Sequence, residues 1–291
     1  MIARKLFIED QFQIVDKESS LVPFVFNNVQ EEYYRMLIQD YGQTLEGVRE
    51  IVLKARQEGV SSMVLGLFTV DFLTMPNSVS ICISHRKDST DILFKKVKRY
   101  VESYCEKQGW DPKDILETDN RKEMENKLNK AYFYIGTAGT KVGGRGGTAR
   151  NLLLSESAFY PDTSILTARE IIEATAQQIP QGKGMIFVES TANGYGNYYQ
   201  MEWERAVRGE STYKPRFFGW EKFYDEKWIM EKRKDFQDER IWKQEYPRTE
   251  NEAFINSGNP FFDTEAMEWI MNNSIKDPIK QGRLAADGQW M

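Results

Sequence analysis

The chain has 291 residues, of which 41% are hydrophobic and 29% charged, and its formal net charge is −5. This length can bury a sizeable core as one large domain, or as one domain with a small lid. No apolar run is long enough to span a bilayer and no secretory signal opens the chain, so we expect a cytosolic protein with no membrane contact. The acidic balance argues against a protein that coats DNA uniformly, and two cysteines without paired spacing support neither a disulfide framework nor a zinc site.

The segment Lys54–Ser62 has the frame of a phosphate-binding loop. It follows an apolar strand at Ile51–Leu53 and precedes an apolar helical run over residues 63–70. Backbone N–H groups at such a helix start have no intrahelical partner, and the helix dipole favours an anion there. Gly59 permits close approach of the backbone to phosphate, and Ser61 is placed to offer its hydroxyl to Mg²⁺.

This loop lacks its usual lysine. Val60 stands at that position, and Lys54 occupies the position of the first glycine. Lys54 or Arg56 is therefore expected to bring positive charge to the terminal phosphates. A Gly-Val-Ser turn with a purely structural role fits the same residues.

Strand and helix signals alternate along the chain, which predicts an α/β fold with a mainly parallel sheet and crossover helices. Nucleotide is expected at the carboxyl ends of the strands. Residues 111–130 are predicted to form an exposed polar connection. Besides the strand before the loop, strands are predicted at Val79–Ser84, Ala131–Thr137, Asn151–Ser155 and Gly184–Ser190.

One predicted helix combines an apolar stripe with basic residues. Its lysines, among them Lys95, Lys96 and Lys98, are expected to point outward and are candidates for DNA contact, although a solvated basic face is the more common explanation of such lysines. The lone histidine, His85, is expected to be structural. The residues predicted to face the core, at helical spacing, are Leu93, Val97, Tyr100, Val101 and Tyr104.

A second strand ends in Ser155-Glu156, at the separation where phosphate-loop ATPases place a metal-side acid and a catalytic base. A carboxylate held at a strand tip can polarise an attacking water, which is the role expected of Glu156. Ser155 stands where an aspartate usually accepts from metal-bound water, and its hydroxyl can still do so with less charge. A glutamate that caps the following helix is the alternative interpretation.

A third strand tip carries Ser190, Thr191 and Asn193, which are placed to sense the terminal phosphate. The same residues are common in ordinary turns. Three such strand tips in this order favour nucleotide binding over three unrelated turns.

With these motifs in place, the chain resembles the ATPase domain of the large terminase subunit of tailed bacteriophages, a P-loop NTPase of the ASCE type. The resemblance extends from Val22 to about Phe262, and the joint order of its motifs is specific where each alone is modest. The matching segments are Pro23–Gln30, similar to an adenine-recognition segment, Arg56–Ser61, Leu154–Ala158, the coupling segment Ser190–Gly194, and Glu245–Pro247 with Glu252–Phe254.

This resemblance implies an ATP-hydrolysing motor that drives double-stranded DNA into a viral capsid, with ATP and Mg²⁺ at its site. It implies that Gln30 bonds the adenine edge, that Glu156 is the catalytic glutamate, and that Ser190, Thr191 and Asn193 couple hydrolysis to movement. The remaining implied contacts are Lys54, Arg56, Gln57, Gly59, Ser61 and Ser62 for the nucleotide, and Ser61 with Ser155 on the metal side.

Motors of this family also supply an arginine to a neighbouring subunit's site. The best position here is Arg145, in a glycine-rich loop over residues 141–148, with Arg150 as the second choice. A guanidinium on a transferring phosphoryl group raises the rate by about 10³–10⁵ in the systems studied. A flexible surface loop with a solvated arginine is the alternative.

The implied partners are double-stranded DNA, the portal protein, the small terminase subunit and neighbouring large subunits in a ring, pentameric when assembled, in the host cytoplasm. The predicted domains are an ATPase core at 1–215, a lid subdomain at 216–258 and, at 259–291, a linker toward an absent nuclease domain, so no DNA cleavage is expected. The predicted apolar anchors of the lid are Trp228, Ile229, Phe236, Ile241 and Trp242.

Two other functions fit the same motifs. One is another P-loop DNA translocase or a helicase, for which a convincing set of nucleic-acid motifs is missing. The other is a module that holds nucleotide without turnover, consistent with the loss of the loop lysine and of the metal-side aspartate.

Overall fold

The computed structural model describes residues 3–140, 147–163, 166–254, 269–270 and 273–274. The chain divides into two compact units, Met1–Ser257 and Gly258–Met291. The strands and all helices with given bounds lie in the first unit, and in the second unit residues 269–270 are helical. Within the described residues, no helix is long and apolar enough to cross a membrane.

The described strands form a two-stranded hairpin and an eight-stranded sheet. The hairpin joins β1 (Gln13–Val15) to β2 (Leu21–Pro23). The sheet contains β3 (Val48–Lys54), β4 (Val79–Ser84), β5 (Leu116–Asp119), β6 (Glu123–Asn126), β7 (Tyr132–Thr137), β8 (Asn151–Ser155), β9 (Met185–Ser190) and β10 (Lys214–Phe218).

The strand order is β10-β3-β9-β8-β4-β7-β6-β5, and every neighbouring pair from β10 to β7 is parallel. The predicted mainly parallel sheet and its five predicted strands are therefore confirmed. Parallel sheets are covered on both faces, so their strands consist of near-continuous apolar runs. That is why these strands can be predicted from the sequence.

The prediction for residues 111–130 is wrong in part. Instead of a simple connection, this segment forms β5 and β6, which extend the sheet as antiparallel strands beyond β7. Charged side chains dominate the segment, but Ile115 and Met124 are buried. Alternation of charged and apolar residues over so few positions hides a short edge strand in the sequence.

Helices cover both faces of the sheet. The helices that precede β8 in the chain are α1 (Arg4–Gln11), α2 (Asn28–Tyr41), α3 (Val60–Thr74), α4 (Lys87–Gln108) and α5 (Pro112–Ile115). Those after it are α6 (Ala168–Ala176), α7 (Tyr198–Val207), α8 (Glu226–Arg233), α9 (Glu239–Glu245) and α10 (Glu250–Phe254), with short 3₁₀ turns at Ser157–Phe159 and Trp220–Lys222.

Successive strand residues point to opposite faces and build two cores. Leu153 of β8 packs in the core that contains α1 to α4, whereas its neighbours Leu152 and Leu154 pack with α6 and α7 on the other face. Helix α3 is apolar almost all round, as expected of a helix enclosed on every side. It begins within the predicted phosphate-binding loop segment, so the carboxyl end of the loop is held by a buried helix.

Helix α4 confirms most of its predicted stripe and corrects one lysine. Leu93, Val97, Tyr100 and Val101 are buried and Tyr104 is partly buried. Lys96 does not point outward with its neighbours but turns toward the first turn of α3. The assumption that all lysines on this helix are solvated is therefore wrong.

The segment after β10 has a small apolar cluster of its own, formed by Tyr224, Ile229, Trp242 and Tyr246. Trp228 and Phe236 pack against it, which agrees with their predicted role as apolar anchors, while the assignment of this segment as a lid stays a prediction. Ile241 is 51% exposed, so its predicted role as an anchor is wrong. Strand β10 continues the sheet through Phe218, past the predicted core boundary at residue 215.

Candidate nucleotide site

The predicted site residues of three strand tips meet at one edge of the sheet. The loop after β3 leads into α3, and the residues after β8 and β9 lie beside it because these strands are parallel neighbours. Together they line an open pocket of about 1010 Å³. Ligands bind at this edge in open α/β sheets, because helix starts and strand ends converge there.

The loop has a backbone that only glycine fits at one position. Gly59 has φ +84° and precedes α3, leaving the first N–H groups of that helix directed at the pocket. A Cβ at Gly59 would lie 2.7 Å from Gln30 Nε2. The loop therefore excludes a side chain both by its dihedral angle and by its neighbour.

Gln30 supports this loop from behind. Its Nε2 donates to the Gly59 carbonyl at 2.8 Å, and its Oε1 accepts from the Asn27 backbone N–H in a capping box at the start of α2. The Asn27 side chain donates to the Glu58 carbonyl in turn. Gln30 is 3% exposed and its amide is engaged at both ends, so in this geometry it anchors the loop, and its contact with adenine stays a prediction.

Lys54 lies between two carboxylates. Its Nζ is 3.1 Å from Glu156 Oε1 and 3.1 Å from Glu189 Oε2, and its side chain is 5% exposed. Burial opposes the charge of Lys54, but the two carboxylates outweigh burial and raise its pKa. This lysine is a fixed positive charge at the base of the pocket.

Glu189 is the residue that sequence reasoning missed. It is fully buried on β9, where the register sets it opposite Ser155 of β8. Its Oε1 accepts from Ser61 at 2.8 Å and from Ser155 at 2.6 Å. The only signal in the sequence was an acid inside an apolar strand, which is costly unless it is paired.

Ser61 and Ser155, the two predicted metal-side residues, are thus brought together through one carboxylate. Mg²⁺ prefers oxygen ligands and keeps several waters, so it needs few protein groups besides phosphate. Two hydroxyls around a buried carboxylate fit that chemistry. Among the described residues, no cluster of three or more His, Cys, Asp or Glu side chains is placed to hold a metal ion.

Glu156 occupies the strand tip in a left-handed conformation, φ 52° and ψ 46°. Non-glycine residues rarely adopt this region, and such strain concentrates at functional sites. Burial would raise the pKa of Glu156, but the charge of Lys54 and hydrogen bonds from Lys54 and the Thr191 N–H more than offset it, and the pKa lies below its usual range. Glu156 is therefore an ionised acceptor at neutral pH.

The predicted coupling segment contacts Glu156 directly. The Thr191 N–H donates to Glu156 Oε2 at 3.2 Å, and the Ser190 hydroxyl lies 3.4 Å from the same oxygen. Asn193 donates instead to the Ala158 carbonyl, behind the strand tip. The end of β9 and the acid of β8 form one hydrogen-bonded unit.

Arg56 and Gln57 form the exposed lip of the loop. The Arg56 guanidinium pairs with Glu245 at 2.8 Å, its N–H donates to the Glu245 carbonyl, and its carbonyl accepts from the Tyr224 hydroxyl. The loop is thus tied to the segment after β10. Gln57 lines the pocket with φ 63°.

Ser62 receives two groups from α4. Lys96 Nζ donates to its hydroxyl at 2.8 Å, and the Tyr100 hydroxyl donates to its carbonyl at 3.3 Å. His85 also lines the pocket, where its ring packs near Phe159 and burial lowers its pKa. Neither Lys96 nor His85 was placed at the site by sequence reasoning.

Arg145 lies outside the described residues, so its role stays a prediction. Arg150 is described and is engaged elsewhere: it pairs with Glu46 at 2.7 Å and with Asp71 at 3.2 Å. It precedes β8, whereas Glu156 follows it, so the two lie at opposite ends of the strand. Arg150 therefore does not act on the Glu156 of its own chain in this geometry, and a role of Arg150 in a neighbouring subunit's site stays a prediction.

Known proteins resemble this chain in structure and not in sequence. No protein-family model matches it, and no curated protein sequence matches it. The large terminase ATPase domain of Thermus phage P74-26 matches with a TM-score of 0.53 and 17% identity, over 72% of this chain and 91% of that domain. The large terminase of bacteriophage HK97 matches with a TM-score of 0.63 and 14% identity, over 91% of this chain and 57% of that one.

This chain has the fold of a phage large terminase ATPase domain. A large terminase from a thermophilic bacteriophage adds a third match, with a TM-score of 0.54 and 11% identity, covering 74% of this chain and 51% of that one. The chain thus spans about half the length of the HK97 terminase and of this third terminase. At these identities the likeness shows the terminase ATPase fold, and the activity has to be argued from the site.

Proposed function

We propose that this chain is an ATP-hydrolysing motor domain that drives double-stranded DNA into viral capsids. The observation that carries the proposal is the position of Glu156, ionised beside the phosphate loop and bonded to the end of the neighbouring strand. A nucleotide-driven motor needs a catalytic base, a loop that binds phosphate and a segment that responds to hydrolysis, and we assign these roles to Glu156, the loop before α3 and the end of β9.

The pocket offers ATP a binding site built from backbone and hydroxyl groups. The first N–H groups of α3 attract phosphate, and the Ser61 hydroxyl lies among them. The large terminase of the thermophilic bacteriophage was also determined in complex with ADP, in a structure that matches this chain with a TM-score of 0.51. We infer the same class of ligand here, with Gln30 and Asn27 fixing the loop that receives it.

Ser61, supported by Glu189 and Ser155, would hold Mg²⁺ beside the phosphates. When bound, the ion neutralises charge that develops on the transferring phosphoryl group. Glu189 supplies the negative charge that Ser155 lacks at the usual position of an aspartate. Its hydrogen bonds also fix both hydroxyls in orientation.

Glu156 orients and deprotonates the attacking water. The charge of Lys54 helps to keep Glu156 ionised, so its carboxylate is available at neutral pH to hold the water and accept its proton. Thr191 and Ser190 contact the same carboxylate, so a change at Glu156 during turnover reaches the end of β9 directly. This is the route by which hydrolysis would move other parts of the motor.

Steady-state ATP hydrolysis by Glu156→Gln tests the assignment. We expect turnover to fall about 10²- to 10⁴-fold, the usual contribution of a general base, while binding of Mg·ATP is kept. Glu106→Gln, a change at an exposed glutamate of α4, is the matched control and should keep full activity. Undiminished turnover in Glu156→Gln would show that the base lies elsewhere.

The macromolecular part of the proposal rests on the fold and on the resemblance in motifs. It places DNA, the portal protein, the small subunit and neighbouring large subunits around this domain, with Arg145 reaching a neighbour's site. Specific activity that rises with protein concentration, and that Arg145→Ala abolishes, would support an arginine acting between subunits. Unwinding of duplex DNA without translocation would favour a helicase. Nucleotide binding without hydrolysis would favour a module that only binds nucleotide.

A further inference from the structure

The loop segment Lys54–Ser62 has no lysine at the usual position, and its two cations, Lys54 and Arg56, lie elsewhere in the segment. Val60 stands at the usual position, is 1% exposed and packs in the core as the first residue of α3. Lys54 is held by Glu156 and Glu189, and the guanidinium of Arg56 is held by Glu245. Both loop cations proposed from the sequence therefore already have carboxylate partners.

Lys96 reaches the same place from another element. Helix α4 packs along α3, and it lays Lys96 Nζ on the hydroxyl of Ser62, in the first turn of the helix that follows the loop. Lys96 lines the pocket together with Ser61 and Ser62. Tyr100, one turn further along α4, donates a hydrogen bond from its hydroxyl to the Ser62 carbonyl.

The surroundings of Lys96 leave its charge available to a ligand. Across the described part of the chain, no carboxylate lies within 4.0 Å of Lys96 Nζ, which donates a hydrogen bond to Ser62 Oγ. An ammonium has three donors, so two remain for further acceptors. Burial is the largest influence on Lys96 and lowers its pKa, and Glu189, the acidic group that opposes this shift, already pairs with Lys54.

A partly buried ammonium without a counter-charge is costly, and an anion that enters the pocket relieves that cost. The first turn of α3 favours an anion at this same point through its free N–H groups. Lysine suits this task because its ammonium binds phosphate as a point charge on a flexible stem. The geometry of α4 thus brings a cation to the position that the loop leaves without one.

We propose that Lys96 is the phosphate-binding cation of this site, contacting the polyphosphate of ATP from α4 in place of the missing loop lysine. The inference rests on the proposed function, since it requires ATP in this pocket. It assigns Lys96 a direct contact with the nucleotide and leaves Lys54 to position Glu156 and Glu189. Arg86, which also lines the pocket at the start of α4, is the competing cation.

Calorimetric titration of the intact chain with Mg·ATP and with AMP separates these roles without measuring turnover. Lys96→Met keeps most of the side-chain stem and removes the charge. We expect its affinity for Mg·ATP to fall about 10- to 100-fold, as for loss of a charge-assisted hydrogen bond. Affinity for AMP should change less than about threefold, because AMP lacks the terminal phosphates, and Lys96→Arg should restore part of the ATP affinity.

Two controls isolate the charge from the packing. Lys95→Met changes an exposed lysine next to it on α4, and Tyr100→Phe removes the other α4 contact with Ser62. Both should bind Mg·ATP within about twofold of wild type. A loss in Tyr100→Phe equal to that in Lys96→Met would overturn the proposal, because helix docking would then explain both.

The remaining outcomes divide cleanly. If wild type binds Mg·ATP and Lys96→Met binds it equally well, Lys96 is not the phosphate cation and the proposed function stands. A selective loss in Arg86→Met instead would give the role to Arg86. If wild type binds no Mg·ATP, the proposed function itself fails, and this inference fails with it.

Discussion

Replacing Lys54 by methionine tests the charge cluster at the base of the pocket. The lysine makes two contacts of 3.1 Å with carboxylates, and each would attract by about 5 kcal/mol at an effective dielectric of about 20. Desolvation of three groups offsets much of that attraction. Removal of one partner, however, leaves Glu189 buried without its counter-charge, which typically costs about 3–5 kcal/mol.

We therefore expect Lys54→Met to lose about 3–5 kcal/mol of unfolding free energy at pH 7, measured by urea denaturation. Lys214→Met is the matched control: its ion pair with Asp40 is 47% exposed on the lysine side, so its loss should stay below about 1 kcal/mol. The double variant Lys54→Met with Glu189→Gln removes the stranded charge and should regain about 2 kcal/mol over the single variant.

The pH dependence of this loss has a definite sign. Because the pKa of Lys54 is raised in the folded protein, its stabilising contribution is fully present below its ordinary value of 10.5. Because the pKa of Glu156 is lowered, its contribution is present above its ordinary value of 4.5 and is lost as pH falls through the folded value. The difference between wild type and Lys54→Met should accordingly be full at pH 7 and shrink in acid, as Glu156 of the wild type takes up a proton and loses its pairing with Lys54.

Two results would refute this reasoning. One is a loss in Lys54→Met below about 1 kcal/mol at pH 7, comparable to an exposed ion pair. The other is a double variant whose loss equals the sum of the two single losses, since that would mean that Lys54 and Glu189 do not interact.

Two further predictions concern the loop itself. Gly59→Ala should lower the unfolding free energy by about 1–3 kcal/mol and weaken Mg·ATP binding, because the new Cβ would lie 2.7 Å from Gln30. The control Gly109→Ala, also at positive φ but in open space, should lower it by only about 1 kcal/mol. Equal losses of stability in calorimetric melting would exclude the steric contribution at Gly59. Glu58 is fully buried, and burial raises its pKa from its ordinary 4.5 to about 9, so wild-type stability should fall as pH rises between those values, because the unfolded chain releases the proton first. Glu58→Gln should remove that slope and be more stable by roughly 2–3 kcal/mol at pH 7, and an unchanged slope in urea denaturation across this range would show that Glu58 is not the source.

Local patterns were enough to predict the parallel strands and the strand-tip motifs. A strand buried on both faces must be an apolar run, and a polar residue right after it lies at the sheet edge by geometry alone. Glu156 was found this way, and so were Ser61 and Ser190. These residues needed only their own strand to be located.

Glu189 and Lys96 could not be found so easily, because their roles depend on register between separate elements. Ser155 faces Glu189 only through the pairing of β8 with β9. Lys96 sits among exposed lysines at similar spacing, and only the packing of α4 against α3 distinguishes it. Likewise, β5 and β6 could not be predicted from their own sequence, because they form by pairing onto the edge of the sheet at β7.

The Arg56 contacts have a consequence for how ligands at distant surfaces communicate. Its guanidinium, N–H and carbonyl all bond the segment that contains Tyr224 and Glu245, so loop and segment hold each other in one arrangement. Suppose that one molecule binds the segment, another binds the loop, and both bind more tightly in this arrangement. Each then raises the affinity of the other, and the two factors are equal. A partner that favours this arrangement when it docks on the segment would therefore strengthen ligand binding at the pocket, and the reciprocal effect would give an independent measure of the coupling.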